Sequence, residues 1–184
     1  MHMLKDKKRI CVFCGSSLGN NKLIQKEVIK LAKIISENNL ELVYGGAKIG
    51  LMGLIAKEVQ RQGGKVIGII PKFLDKKEII NKNLTQLHLV DSMHERKQKM
   101  YDISDFFIAL PGGIGTLEEV FEIITWKQLK LKKAPIGILN ISKYYEKIIE
   151  HIHLMVKNHF LDKNFIDEII VSNSSKDLIN RIIN

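Results

Sequence analysis

The chain is poor in cysteine. Its 184 residues hold two, Cys11 and Cys14, which excludes a disulfide framework and fits a reducing compartment. Their Cys-x-x-Cys spacing is not enough for zinc, which needs a second pair of ligands. Nor does it suit a redox pair, because Cys11 falls inside a strand-like apolar run rather than at a helix N-terminus. Buried, inert thiols are the expectation. With 3 prolines and 13 glycines, collagen-like and low-complexity chains are excluded. No apolar run approaches the ~18 residues of a membrane span. Residues 1–9 are polar and basic and lack the apolar core of a signal peptide. The default expectation is a cytoplasmic protein without membrane association. Acidic side chains are also in deficit: 20 Asp and Glu against 29 Lys and Arg leave a formal charge of +9 and a pI near 9.5.

That positive excess invites a nucleic-acid or phosphorylated partner. The lysines are scattered, however, and no block reaches five or six like charges, so solvated helix faces account for most of it. No recognition module for nucleic acid occurs, and nucleic acid is not the expected partner. Gly-x-Ser-x-Gly and His-Glu-x-x-His are absent as well. His151, His153 and His159 come without a matching carboxylate cluster and read as ordinary surface or core histidines, so neither a metal nor a cofactor is expected.

What is present is a regular alternation. Continuous apolar runs at residues 9–13, 40–44, 65–70, 86–90, 106–110 and 136–139 read as strands. Helical spacing separates them at 23–37, 53–62, 93–101, 116–129 and 143–157. An apolar patch at 169–171 and a last helix near 176–182 close the chain. Strands that are apolar throughout are covered on both faces. The expectation is one α/β domain over 1–184: a doubly wound, mostly parallel sheet with helices on both faces.

Ligands of such a sheet bind beyond the carboxyl ends of its strands. Several ends here run into glycine: Gly15-Ser16-Ser17, Gly45-Gly46 and Gly112-Gly113. The sharpest segment is Pro111-Gly112-Gly113-Ile114-Gly115-Thr116-Leu117-Glu118-Glu119. A strand ends, glycines follow and a helix begins, which suits an anion held by backbone N–H groups and a helix N-terminus. Thr116 and Glu119 also have the Thr-x-x-Glu spacing of a capping box. Both readings stand on spacing alone, although capping leaves the glycines unexplained. The second segment, Asp91 to Lys97, opens a helix after a strand end. Arg96 falls on one stripe with Met93 and Met100, where it either grips a phosphate or planar base or lies on a solvated basic face. In the third, Tyr44 to Gly53, Gly50 and Gly53 would let a helix pack closely on the sheet.

Taken together, Cys11 to Ser17, Val43 to Gly53, Met93 to Lys97 and Pro111 to Glu119 resemble the LOG family, the cytokinin riboside 5′-monophosphate phosphoribohydrolases often mislabelled as lysine decarboxylases. The resemblance runs from Ile10 to Leu139, and Ile70-Pro71 followed by Glu78 also fits its layout. It implies a modified Rossmann fold and a homodimer with its active site near the subunit interface. It implies hydrolysis of a purine riboside 5′-monophosphate, AMP or N6-modified AMP, to free base and ribose 5-phosphate. On this resemblance Arg96 and Glu119 match the catalytic pair. Glu78, Arg96, Lys97, Gly112, Gly113, Ile114, Gly115, Thr116, Leu117 and Glu118 match substrate-binding positions. Two residues depart from it: Ala47 stands where the family often has glycine, and Ile114 where it often has tyrosine. A phosphate would share its helix start with Glu118, Glu119 and Glu122, so these like charges must be kept apart.

Overall fold

The computed structural model describes residues 7–77 and 79–184. Seven strands form one sheet: β1 (Arg9–Phe13), β2 (Glu41–Tyr44), β3 (Val66–Pro71), β4 (Gln86–Val90), β5 (Phe106–Ala109), β6 (Ile136–Leu139) and β7 (Ile169–Ser172). Their order is β4-β3-β2-β1-β5-β6-β7, and every pairing is parallel. The helices are α1 (Lys22–Glu37), α2 (Gly50–Arg61), α3 (Met93–Asp102), α4 (Ile114–Gln128), α5 (Glu146–Lys157), α6 (Lys163–Ile166) and α7 (Ser175–Ile183). Two 3-10 turns, Lys72–Lys77 and Ile141–Lys143, complete the described elements.

The period-2 geometry of a strand divides the core in two. Ile10, Val12, Leu42 and Tyr44 face α1, α2 and α7. Cys11, Phe13, Val43 and Phe107 face α3, α4 and α6. Both faces of the central strands are therefore covered, and this is why they read as unbroken apolar runs, whereas the edge strand β4 keeps Gln86 and Leu89 exposed. Both cysteines are buried, and burial first, then the Glu119 carboxylate, pushes each thiol up from its ordinary value. No helix among the described residues is long and apolar enough to cross a membrane.

Chain direction along the sheet reverses at β1: β2 to β4 lie on one side, β5 to β7 on the other. The crevice beyond the carboxyl ends of β1 and β5 is thus the switch point where α/β sheets bind ligands. Backbone bonds zip its floor, with Leu110 N–H donating to Phe13 C=O (2.9 Å) and Gly15 N–H to Pro111 C=O (3.1 Å).

Candidate active site

The site is built from the rim loops. Helix α4 starts at Ile114, two residues before the apolar spacing places it, with Gly113 as N-cap and no side chain capping it. The capping-box reading of Thr116 and Glu119 therefore fails: both lie inside the helix, Thr116 buried at its third position. The N–H groups of Ile114, Gly115 and Thr116 donate to nothing among the described residues, and the first intrahelical donor is Leu117, to Gly113 C=O at 3.1 Å. A Cβ on Gly113 or Gly115 would meet no atom within 4 Å. Ile114 is 83% exposed. Three bare N–H groups at the positive end of a 15-residue helix, open on the outer side, are an arrangement that can take an anion.

The remaining rim glycines also meet packing demands. A Cβ on Gly45 would stand 2.0 Å from Arg96 Nη2, so Gly45 makes room for that guanidinium. Gly46 turns the chain at φ +76°. Gly112 leaves space for Thr116, whose Oγ1 would lie 2.1 Å from an added Cβ. Gly50 and Gly53 do not bring α2 onto the sheet. Their absent side chains let its first turn sit against the Ser16 and Lys48 backbones, with Gly50 at φ +63°. Ala47 is buried with Ile70 and Ile80, where its methyl group fills core volume.

Arg96 and Lys97 are buried although they sit on a polar helix. Ser92 caps α3 through Glu95 N–H (3.0 Å), which fixes the start of the helix beside β3. Arg96 is no solvated face: its Nη1 donates to Glu119 Oε1 at 2.7 Å and its Nε to Ile69 C=O at 3.1 Å. Met100 is buried on the same stripe, while Met93 stays 39% exposed. Lys97 Nζ contacts the carboxylate of Glu118 and, at 3.1 Å, that of Glu122. Burial works against the Lys97 charge, but hydrogen bonds and attraction from Glu118 and Glu122 outweigh it and raise its pKa. Arg96 thus pairs with Glu119 while Lys97 is shared by Glu118 and Glu122, so two cations offset the three acids near the start of α4.

Glu119 is the buried acid of the group. Burial pushes its carboxyl above the usual glutamate value, the nearby Arg96 pulls it down, and the net shift is upward. The cavity at the switch point is about 450 Å³ and includes Gly15, Ser16, Leu51, Gly112, Gly113 and Tyr144 in its walls. Arg96, Lys97 and Glu119 do not line it; they lie on the α3 side of the glycine turn. Glu78 falls outside the described residues. The motif spacing gave no sign of Tyr144, because it follows β6 by a turn with no recognisable signature.

The family model described as "Possible lysine decarboxylase" matches residues 52–182. The chain is 44% identical over 175 residues to the cytokinin riboside 5′-monophosphate phosphoribohydrolase LOG1 of Arabidopsis thaliana, covering 95% of this chain and 82% of that one. The chain belongs to the LOG family. A second relative, the probable cytokinin riboside 5′-monophosphate phosphoribohydrolase LOGL2 of Oryza sativa subsp. japonica, is 42% identical over 95% of this chain and 72% of its own. The LOG match extends past Leu139 and takes in the last strand and helix as well. Among solved structures, the molybdenum cofactor binding protein of Rippkaea orientalis superposes with a TM-score of 0.72 at 20% identity, covering 99% of this chain and 100% of that one. At that identity it shares the Rossmann-like fold of this LOG chain.

Proposed function

We propose that the protein hydrolyses the N-glycosidic bond of purine riboside 5′-monophosphates, AMP or N6-modified AMP, to free base and ribose 5-phosphate. The observation that carries this reading is the uncapped start of α4, five residues before an acid gripped by Arg96. Five residues of helix rise about 7.5 Å, a distance that ribose 5-phosphate can bridge. The phosphate rests on the N–H groups of Gly113 to Thr116, and C1′ comes up to Glu119. The names of the relatives support the same substrate class.

The chemistry follows from the bond to be broken. Loss of the base leaves positive charge at C1′, as in glycoside hydrolysis. A carboxylate at Glu119 stabilises that charge and takes a proton from the attacking water. Arg96 orients the carboxylate, and the proton taken from water passes on to the departing purine, so that free base and ribose 5-phosphate result. Phosphate binding far from the reacting carbon supplies the orientation, which favours a nucleotide over a nucleoside. Lys97 balances Glu118 and Glu122, and the net positive charge draws the anion in. Ile114 and Leu129 at the two ends of α4 are exposed, and a second copy of this chain is the partner proposed to close the site. The cytoplasm is its proposed compartment.

A decarboxylase using pyridoxal phosphate needs a lysine free to form a Schiff base. Lys97, the buried lysine among the described residues, is held by two carboxylates instead. The test of the hydrolase reading is incubation with AMP and chromatography of the products. Adenine and ribose 5-phosphate in equal amounts are expected. Binding without product would make the protein a nucleotide carrier.

The state of Glu119 gives a pH prediction. A base whose pKa is raised loses its working form sooner as pH falls. The acid limb of kcat/KM for AMP is therefore expected above the usual glutamate value, with activity rising as pH increases through it. Removing Arg96, which pulls that pKa down, moves the limb to still higher pH. A limb that stays in place in Arg96→Ala would separate it from Glu119.

A further inference from the structure

Four successive carbonyls of the glycine turn each accept a hydrogen bond. Leu110 C=O takes the Tyr145 hydroxyl at 2.6 Å, and Pro111 C=O takes Gly15 N–H at 3.1 Å. Gly112 C=O takes the Tyr144 hydroxyl at 2.5 Å, and Gly113 C=O takes Leu117 N–H at 3.1 Å. A planar trans peptide points its N–H opposite its C=O. Fixing the Gly112 carbonyl therefore aims the Gly113 N–H. That peptide joins two glycines, and the space a side chain would take at Gly113 is open. It is the part of the cradle with the most freedom to turn, and the Tyr144 hydroxyl is its anchor.

Presentation of this anchor is elaborate. Ser142 and Lys143 both adopt left-handed backbone, at φ 52° and 58°, which non-glycine residues seldom do. Asn140 secures the turn: its N–H donates to Ser172 C=O (2.7 Å), its Oδ1 accepts from Tyr145 N–H (2.7 Å), and its Nδ2 donates to Glu146 (2.8 Å). Tyr145 is buried, so its hydroxyl bond also serves the core. Tyr144 is 49% exposed and lines the cavity at the switch point. A bond in contact with water adds little to stability. The strained turn thus delivers one bond to the core through Tyr145 and one to the cavity-lining peptide through Tyr144.

We infer that Tyr144 is a positioning residue: its hydroxyl holds the Gly112–Gly113 peptide so that the Gly113 N–H joins the phosphate cradle. This rests on the reading that the cradle takes a 5′-phosphate. In Tyr144→Phe the ring stays and the hydroxyl goes. KM for AMP is expected to rise about tenfold, the weight of one hydrogen bond to a charged group, while kcat changes by less than about threefold. Calorimetric titration of the full-length protein with ribose 5-phosphate should show the same loss of affinity, and titration with adenine should show none. Thermal stability should match the wild type. If the wild type binds ribose 5-phosphate and Tyr144→Phe binds it equally well, the role of Tyr144 is overturned while the phosphate cradle stands. Equal losses for adenine and ribose 5-phosphate would also overturn it, since the hydroxyl would then act on the fold. A wild type that does not bind ribose 5-phosphate overturns both.

Discussion

Glu119→Gln is expected to lower kcat on AMP by about 10²-fold or more, with KM within a few-fold of the wild type. The substitution keeps the volume of the side chain and a carbonyl oxygen facing Arg96 Nη1, now 2.7 Å from the carboxylate. What it removes is the negative charge set against C1′ and the site that accepts the proton from water. The cradle N–H groups belong to the backbone before it, so nucleotide affinity should survive. The acid limb of the pH profile should vanish along with the activity. Steady-state kinetics with AMP, paired with a titration of the inactive variant, checks both halves. A variant that turns over at the wild-type rate would take Glu119 out of the mechanism, and one that neither turns over nor binds would place it in the fold instead.

Arg96→Ala should damage turnover and stability together. Arg96 and Glu119 side chains are each 8% exposed, and removal of the cation leaves a buried carboxylate without its partner. Breaking a buried pair on one side costs about 3 kcal/mol or more. For a chain of this size that lowers Tm by roughly 6–12 °C. The double variant Arg96→Ala/Glu119→Gln removes the orphaned charge and should melt above Arg96→Ala alone. Gly45→Ala reaches the same guanidinium from the other side, since its new Cβ would stand 2.0 Å from Nη2. With both members of the pair still present, it should reproduce the loss in kcat by displacing Arg96. Calorimetry on the three proteins and kinetics on Gly45→Ala test the pair. Wild-type kinetics in Gly45→Ala would mean that the position of the guanidinium does not matter to the chemistry.

Much of this protein can be read along the chain, and the reasons are local. Unbroken apolar runs such as Cys11 to Phe13 and Phe106 to Ala109 announce strands covered on both faces. Gly63-Gly64 and Ser92 mark where helices stop and start. The segment from Pro111 to Glu119 shows a strand end, glycines and a helix start, while the structure decided that this helix begins without a side-chain cap. The boundaries that spacing misplaced have local causes too. Helix α4 begins early because it is capped by the bare backbone of Gly113 rather than by Thr116, and α5 begins late because a left-handed turn at Ser142 and Lys143 intervenes.

Side-chain pairings are another matter. Arg96 and Glu119 are 23 residues apart, and composition treats the first as an ordinary surface cation. Only the sheet order β3-β2-β1-β5 brings the starts of α3 and α4 together, with Gly45 leaving room for the guanidinium between them. Lys97 likewise became the counter-charge of Glu118 and Glu122 through packing, because burial lets it keep its charge only where carboxylates stand against it. Tyr144 reaches Gly112 across 32 residues, an approach set by the β5–β6 pairing. Sequence by itself determined the elements, the layers and the glycine turn that opens α4, since these follow from periodicity and backbone chemistry. Tertiary structure decided which charges meet, because ion pairs and long-range hydrogen bonds depend on where the sheet places its strand ends.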